Sequence, residues 1–364
     1  MSRFLFVGST AAYSGKSAII LGLASHLKQK GMAVAYGKPL GACMGGDCPP
    51  DGSDPDVKFI GDWLGLADEC KLPTIARLDP ETVMGAIDET TRVDYPAKLA
   101  AYQQQCGAQL KILEGPGDLQ EGQLFQLSLA DMATKLDAAI LLLVRYDSAV
   151  VVDTVLGAQR LLGNRLIGVV FNDVPADERA TVADHVVPYL EHHHIPVLGI
   201  LPANRILRSI SVSDLVHQLD AQILCCEERL DLLVEEIAIG AMNVNSALKY
   251  FRKSEHKAVI TGGDRTDIQL AALETSTNCL ILTGQLPPTD LIRQRAEELE
   301  IPILSVDLDT LTTVERIERV LGQARLHEEV KVRCVEELVE HELNFARLFD
   351  LLDIPHPREK VKSA

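Results

Sequence analysis

At 364 residues the chain exceeds one comfortable core, so two domains are expected. Its 52 acidic and 35 basic side chains leave a formal charge of −17, which argues against nucleic-acid and anionic-membrane partners. No apolar run reaches the ~18 residues of a bilayer span, and the N-terminus lacks the charged-then-apolar pattern of a signal, so a cytoplasmic location is expected.

The first strand, Phe4–Val7, runs straight into Gly8, then a turn that ends in Ser14-Gly15-Lys16-Ser17, and an apolar helical stretch follows through Leu27. Strand, glycine-bearing turn, Gly-Lys-Ser and helix, in that order, are what a phosphate-binding loop requires. Backbone N–H groups at a helix N-terminus point at the anion, the helix dipole adds positive charge, and the lysine reaches the outer phosphates. Ser17 is then positioned for Mg²⁺. Thr10 stands where the usual pattern has glycine.

Further along, apolar runs at Ala33–Tyr36, Leu110–Leu113, Ala138–Val144, Leu166–Phe171 and Val197–Leu201 show little alternation, the mark of strands buried on both faces of a parallel sheet. Helices are expected at Ser17–Lys30 and Ser148–Leu162, each closed by a glycine. The pattern predicts a doubly wound α/β domain over residues 1–222, with its ligands at the carboxyl ends of the strands. Lys38 sits at such an end, either as a second cation for a phosphate or an acidic substrate group or as an exposed lysine before the turn residue Pro39. The Gly-, Pro- and Asp-rich stretch 41–56 reads as an irregular loop in which Asp54 or Asp56 supplies either a Mg²⁺ ligand or a helix cap. Glu114 closes the third strand as a second metal-side acid. Arg145 faces the same crevice or makes a structural ion pair, and Asn172 offers donor and acceptor to a purine edge or forms a turn. His192-His193-His194 invites a metal but lies in a polar connection typical of a surface turn.

The eight cysteines lack paired Cys-x-x-Cys spacing and are expected to be thiols; Cys43 and Cys48 flank the glycine-rich loop. Residues 223–237 read as an amphipathic linker helix. A second α/β region spans 238–354, with strands Ala258–Thr261, Cys279–Thr283 and Ile301–Val306 and helices near Asp267–Glu274, Thr289–Glu300 and Thr313–Gln323. A final helix, about Val332–Leu352, carries one apolar face, and residues 355–364 form a polar tail. The turn Gly262-Gly263-Asp264-Arg265 is either an anion nest, with Arg265 as a fork donor, or a structural turn with Arg265 paired to a carboxylate.

Together these pieces resemble a known pair of modules. Residues 1–222 resemble the dethiobiotin-synthetase-like P-loop domain of long bacterial phosphate acetyltransferases, through GSTAAYSGKS, YGKPLG, RVDY with the following KLAAY, LEGPGDL, VRYD, VVFNDVP and IPVLGILP. Residues from about 238 to 352 resemble the DRTGG domain that follows it there, through IGAM, VITGGDRTDIQLAAL, LILTGQ and IPILSVDLDT. The resemblance implies ATP phosphates and Mg²⁺ on Gly15, Lys16 and Ser17, and Lys38 near the transferred phosphoryl group. It further implies Asp56 and Glu114 on the metal and Asn172 on the adenine edge. Thr10 and a loop one residue longer than in the synthetases depart from the pattern and bear on ATP affinity.

The acetyltransferase domain lies outside this sequence, so acetyl-phosphate synthesis by the chain alone is not expected. Three functions follow from the resemblance. One is an ATP–Mg²⁺-responsive regulatory or scaffold protein whose DRTGG module senses a second ligand or mediates assembly. Another is an ATP-dependent carboxylate-activating ligase or amidase resembling dethiobiotin synthetase or cobyrinate diamide synthase, with Lys16 and Lys38 stabilising in-line phosphoryl transfer. The last is a P-loop fold kept as an interaction platform. A homo-oligomer, dimer or higher, is expected, with room for a protein partner.

Overall fold

The computed structural model describes residues 3–41, 54–89, 93–321, 326 and 328–356. The loop holding Cys43 and Cys48, and most of the expected tail, lie outside the described residues. The chain divides into two compact units, Met1–Ala203 with Leu326–Ala364, and Asn204–Arg325.

The first unit opens with β1 (Arg3–Ser9), α1 (Lys16–Gln29), β2 (Val34–Gly37), β3 (Leu40–Gly41), α2 (Pro55–Trp63), β4 (Lys71–Leu72) and β5 (Ala76–Arg77). It continues through α3 (Pro80–Ile87), α4 (Tyr95–Ala100), β6 (Leu110–Glu114), α5 (Leu129–Leu136), β7 (Ala139–Arg145), α6 (Val151–Leu162) and β8 (Leu166–Val174). After α7 (Arg179–Thr181), a π turn and α8 (Val187–His192), β9 (Val197–Pro202) completes a seven-stranded parallel sheet in the order β4-β2-β6-β1-β7-β8-β9. The apolar runs read as strands are buried on both faces, as the absence of alternation requires. Asp54, Asp79, Asp94 and Ser128 cap α2, α3, α4 and α5 by accepting backbone N–H bonds, which fixes where each helix starts. From β1 the chain crosses one way to β2, and from β6 the other way to β7. The reversal beside β1 opens a crevice at the carboxyl ends of the central strands.

The second unit begins with α9 (Arg205–Arg208), β10 (Ile210–Ser211) and α10 (Val212–Leu219), followed by β11 (Gln222–Cys225), β12 (Leu233–Val234), β13 (Glu236–Ile239) and α11 (Val244–Phe251). Then come β14 (Lys257–Gly262), α12 (Thr266–Leu273), β15 (Thr277–Thr283), α13 (Asp290–Glu298), β16 (Ile303–Val306) and α14 (Thr310–Leu321). Its five-stranded sheet runs β11-β16-β15-β14-β13, with only β11 antiparallel. Separate apolar clusters fill its two faces.

Three expectations need correction. Residues 223–237 are not a linker helix: Ile223–Cys225 pair with β16, Cys226 turns the chain at φ 57°, and β12 and the start of β13 follow. Edge pairing on a parallel sheet outweighs a helical spacing of apolar side chains. The expected final helix is two helices, α15 (Glu329–Glu342) and α16 (Phe345–Leu352). The chain breaks where Leu343 bridges Gly199, the Asn344 N–H donates to Leu198 O at 2.7 Å, and the Asn344 side chain caps α16. Both pack in the first unit, not with the DRTGG-like region. Gly22 of α1 allows this, because a Cβ there would lie 2.7 Å from Val339 Cγ2. Finally, Cys70 and Cys106 are not thiols but a disulfide, joining the segment after α2 to the loop before β6.

Candidate phosphate-binding site

Strand register brings the candidate residues to one edge. Val7 lies opposite Glu114, Gly37 opposite Leu113, Ser9 opposite Leu143, and Arg145 opposite Asn172. The loop after β1 therefore sits among the carboxyl ends of β2, β6, β7 and β8.

Gly15 ends that loop at φ 92°, a conformation that favours glycine, and begins α1. No side chain caps α1 and no acid lies in its first turn, so its leading N–H groups and dipole face the crevice unopposed. Lys16 is buried, and among the described residues its ammonium has one hydrogen-bond acceptor, Ser9 Oγ at 2.9 Å. Burial pushes it below the ordinary lysine value, the Glu114 charge opposes that shift, and Lys38 adds to it. The Ser14 hydroxyl donates to Ala11 O at 2.6 Å, closing the turn. Ser17 takes the second helical position, and its hydroxyl has no protein partner among the described residues.

Lys38 lies inside a cage of carboxylates. Its ammonium is 2.5 Å from Asp56, 3.5 Å from Asp54 and 3.8 Å from Glu114. Desolvation pulls its pKa down, but the three charges, Glu114 foremost, hold it well above the ordinary lysine range. The Tyr36 phenol donates to Glu114 Oε2 at 2.9 Å, and burial followed by the Glu114 charge raises its pKa strongly. Asp54 takes the capping alternative, accepting the Asp56 N–H at the start of α2, and its carboxylate also pairs with Lys38.

Asn172 does not face open space: its Nδ2 donates to Ser14 O at 2.9 Å, tying β8 to the phosphate loop. An added Cβ on Gly15 would lie 2.8 Å from that nitrogen. Arg145 pairs with Asp173 at 3.0 Å, the structural alternative. His192–His194 are exposed at the end of α8, and among the described residues no cluster of three or more His, Cys, Asp or Glu side chains is arranged for a metal ion. In the second unit Arg265 pairs with Asp267 at 3.1 Å and donates to Met242 O at 2.8 Å. A Cβ on Gly263 would lie 2.0 Å from Leu286 O, so this turn packs beneath a carbonyl oxygen, which is a poor neighbour for an anion. Gly262 and Gly263 carbonyls accept from the buried Gln269 side chain, and Asp264 lies against Gly262.

Sequence reasoning missed Ser9, Tyr36 and Glu121, whose carboxylate accepts the Gly117 N–H. Tyr36 carried a signal. It lies two residues before Lys38 in an extended segment, so the two share a face.

A parallel α/β sheet with a phosphate loop after its central strand defines a P-loop domain. The chain belongs to the AAA_26 family, described as an AAA domain, which matches residues 3–211, more than half of it. Residues 214–320 match the DRTGG domain. The chain is similar to the phosphate acetyltransferase of Nitratidesulfovibrio vulgaris, at 26% identity over 96% of this chain and 51% of that protein. It is similar also to the phosphate acetyltransferase of Synechocystis sp., at 25% over 97% and 52%. It thus spans about half the length of the curated relatives it matches. Among solved structures, the CBS and DRTGG domains of a Clostridium perfringens pyrophosphatase, complexed with diadenosine tetraphosphate, align with 46% of this chain and 84% of that one. That alignment has 21% identity and a TM-score of 0.28, too low to carry an argument. Among the described residues no helix is long and apolar enough to cross a membrane.

Proposed function

We propose that the protein is an ATP- and Mg²⁺-binding regulatory or scaffold protein, in which nucleotide binding by the P-loop unit is coupled to a DRTGG unit that senses a second ligand or mediates assembly. The observation that carries this reading is Lys16. A buried ammonium with one hydroxyl partner, at the uncapped start of a helix, lacks the acceptors that phosphate oxygens supply. The donor set suits the cofactor as well: the Ser17 hydroxyl and the carboxylates of Asp56 and Glu114 are hard oxygen ligands of the kind Mg²⁺ takes alongside phosphates. When bound, Mg²⁺ would neutralise charge on the phosphates. Lys38, now held by the same carboxylates, would be freed to turn toward them.

Lys38, the second candidate for stabilising a transferred phosphoryl group, is paired with three acids, and this reading takes it to answer nucleotide binding rather than to drive turnover. Asn172 in this reading braces the loop and leaves its amide oxygen for an adenine edge. A homo-oligomer, dimer or larger, located in the cytoplasm and open to a protein partner, is the state in which such coupling would be read out.

The test is sedimentation and ADP release with ATP and Mg²⁺ present. Near one ATP per chain, a nucleotide-dependent change in assembly, and negligible ADP support the proposal. Steady ADP release that requires an added small carboxylate would instead support the ligase reading. No binding at millimolar ATP would leave an interaction platform.

A further inference from the structure

A separate cavity of about 420 Å³ opens in the first unit, walled by Thr74, Arg77, Glu81, Tyr95 and Lys98 among others. It is built from β5, the start of α3 and α4, away from the α1 N-terminus. Two of its walls carry permanent positive charge, in a chain whose formal charge is −17.

Neither cation is paired among the described residues. Elsewhere in this unit several basic groups are ion-paired, Lys38 with its three acids, Lys71 with Asp62 and Asp68, Arg145 with Asp173 and Arg347 with Glu191, while buried Lys16 and Lys111 donate to protein oxygens. Arg77 and Lys98 have no ion pair or hydrogen bond among the described residues, although Arg77 is only partly exposed and Glu81 lines the same space. The Tyr95 ring is held edge-on against Phe125 at 5.2 Å, which fixes its direction, and its hydroxyl has no partner among the described residues. The Thr74 hydroxyl oxygen, sealed from water in the wall, has none either. A guanidinium, an ammonium and the Tyr95 hydroxyl, none of them paired among the described residues, are the donor set of an oxyanion site.

We propose that this cavity binds a small organic acid or phosphate ester through its anionic group, with Arg77 as the bidentate donor, Lys98 as the second charge and Tyr95 as a neutral donor. The volume suits a metabolite smaller than a nucleotide, and Glu81 disfavours a ligand whose far end is also negative. The site lies one short strand from the Lys38 cage. A Cβ on Gly41 of β3 would stand 3.0 Å from Asp54 Oδ2, 3.2 Å from Thr74 Cγ2 and 3.8 Å from Arg77 Cγ. Occupancy of the cavity is therefore felt at the carboxylate that caps α2 and pairs with Lys38. This ligand site is additional to the nucleotide site and does not depend on it.

The test is a thermal-shift titration of the full chain with acetate, succinate and inorganic phosphate, at ionic strength held constant with sodium chloride. The expected result is a saturable stabilisation by at least one probe, with the monoanion acetate or phosphate ahead of succinate. Arg77→Met and Lys98→Met should each raise the half-saturating concentration about tenfold, in keeping with the loss of a charge-assisted hydrogen bond. Arg77→Lys should recover part of the loss, and Lys98, being exposed, can be replaced without unfolding the chain. The proposal is overturned if no probe exceeds sodium chloride, or if both methionine variants titrate like wild type. It is equally overturned if the response is abolished by Lys16→Met but untouched by Arg77→Met, which would assign the anion to the phosphate loop.

Discussion

Replacing Lys38 by methionine keeps most of the side-chain volume and removes a cation paired with three carboxylates. Lys38, Asp54 and Glu114 side chains are 13%, 6% and 5% exposed, so solvent screens these pairs little. At an effective dielectric of about 20, charges 2.5–3.8 Å apart attract by roughly 4–7 kcal/mol per pair before desolvation is subtracted. Desolvation offsets much of that, but leaving the acids unpaired costs about 3–5 kcal/mol. For a unit of this size the melting temperature should fall by about 6–20 °C at pH 7.5. Millimolar Mg²⁺ should recover part of it. In wild type the folded Lys38 pKa lies above the unfolded one, so its contribution is complete below the ordinary lysine value and fades only as pH rises through the higher folded value. Calorimetric melting of both proteins at pH 5 and 7.5, with and without Mg²⁺, is the assay. A variant that melts within about 2 °C of wild type at pH 7.5, well under the expected shift, would refute the cage as an energetic unit.

Lys16 has the opposite sign. Its folded pKa is depressed, so the unfolded chain holds that proton more tightly, and stability should rise with pH between the folded value and the ordinary one. Lys16→Met should stabilise the nucleotide-free protein at pH 7.5 by about 1–2 kcal/mol in urea unfolding and lose the alkaline gain. Gly15→Ala should destabilise by about 1–3 kcal/mol, since φ 92° is strained for alanine and the new methyl displaces the Asn172 amide from Ser14 O; urea unfolding reads this directly. Cys70→Ser should lower stability by about 3–4 kcal/mol, the chain-entropy value for a cross-link across a separation of 36 residues. Dithiothreitol should lower the melting temperature of wild type by more than that of the variant.

Much of this architecture was legible because parallel strands covered on both faces leave apolar runs with little alternation, unbroken in Ala138–Val144 and broken only by Lys111 in Leu110–Leu113. The phosphate loop was legible because strand, Gly15-Lys16-Ser17 and helix are contiguous. What failed was non-local. Ile223–Cys225 satisfied helical spacing locally, and only the vacant edge of β16 decides in favour of a strand. Val335 and Val339 announced an apolar face but not its partner, which lies some 300 residues upstream at Gly22. The Cys70–Cys106 bond has no spacing signature. In the candidate site, Lys38, Asp56 and Glu114 were named singly, each with a ligand in view. That they hold one another depends on β2 and β6 being neighbours with Gly37 opposite Leu113, a register no local pattern states.

The account rests on the hollow around Lys16, and calorimetric titration of ATP with Mg²⁺ into wild type and Lys16→Met tests it most directly. Saturable binding near one nucleotide per chain, weakened at least a hundredfold by the substitution, is the predicted result, as expected for losing a charged partner inside a desolvated site. Equal heats from both proteins, or none from wild type at millimolar nucleotide, would contradict it.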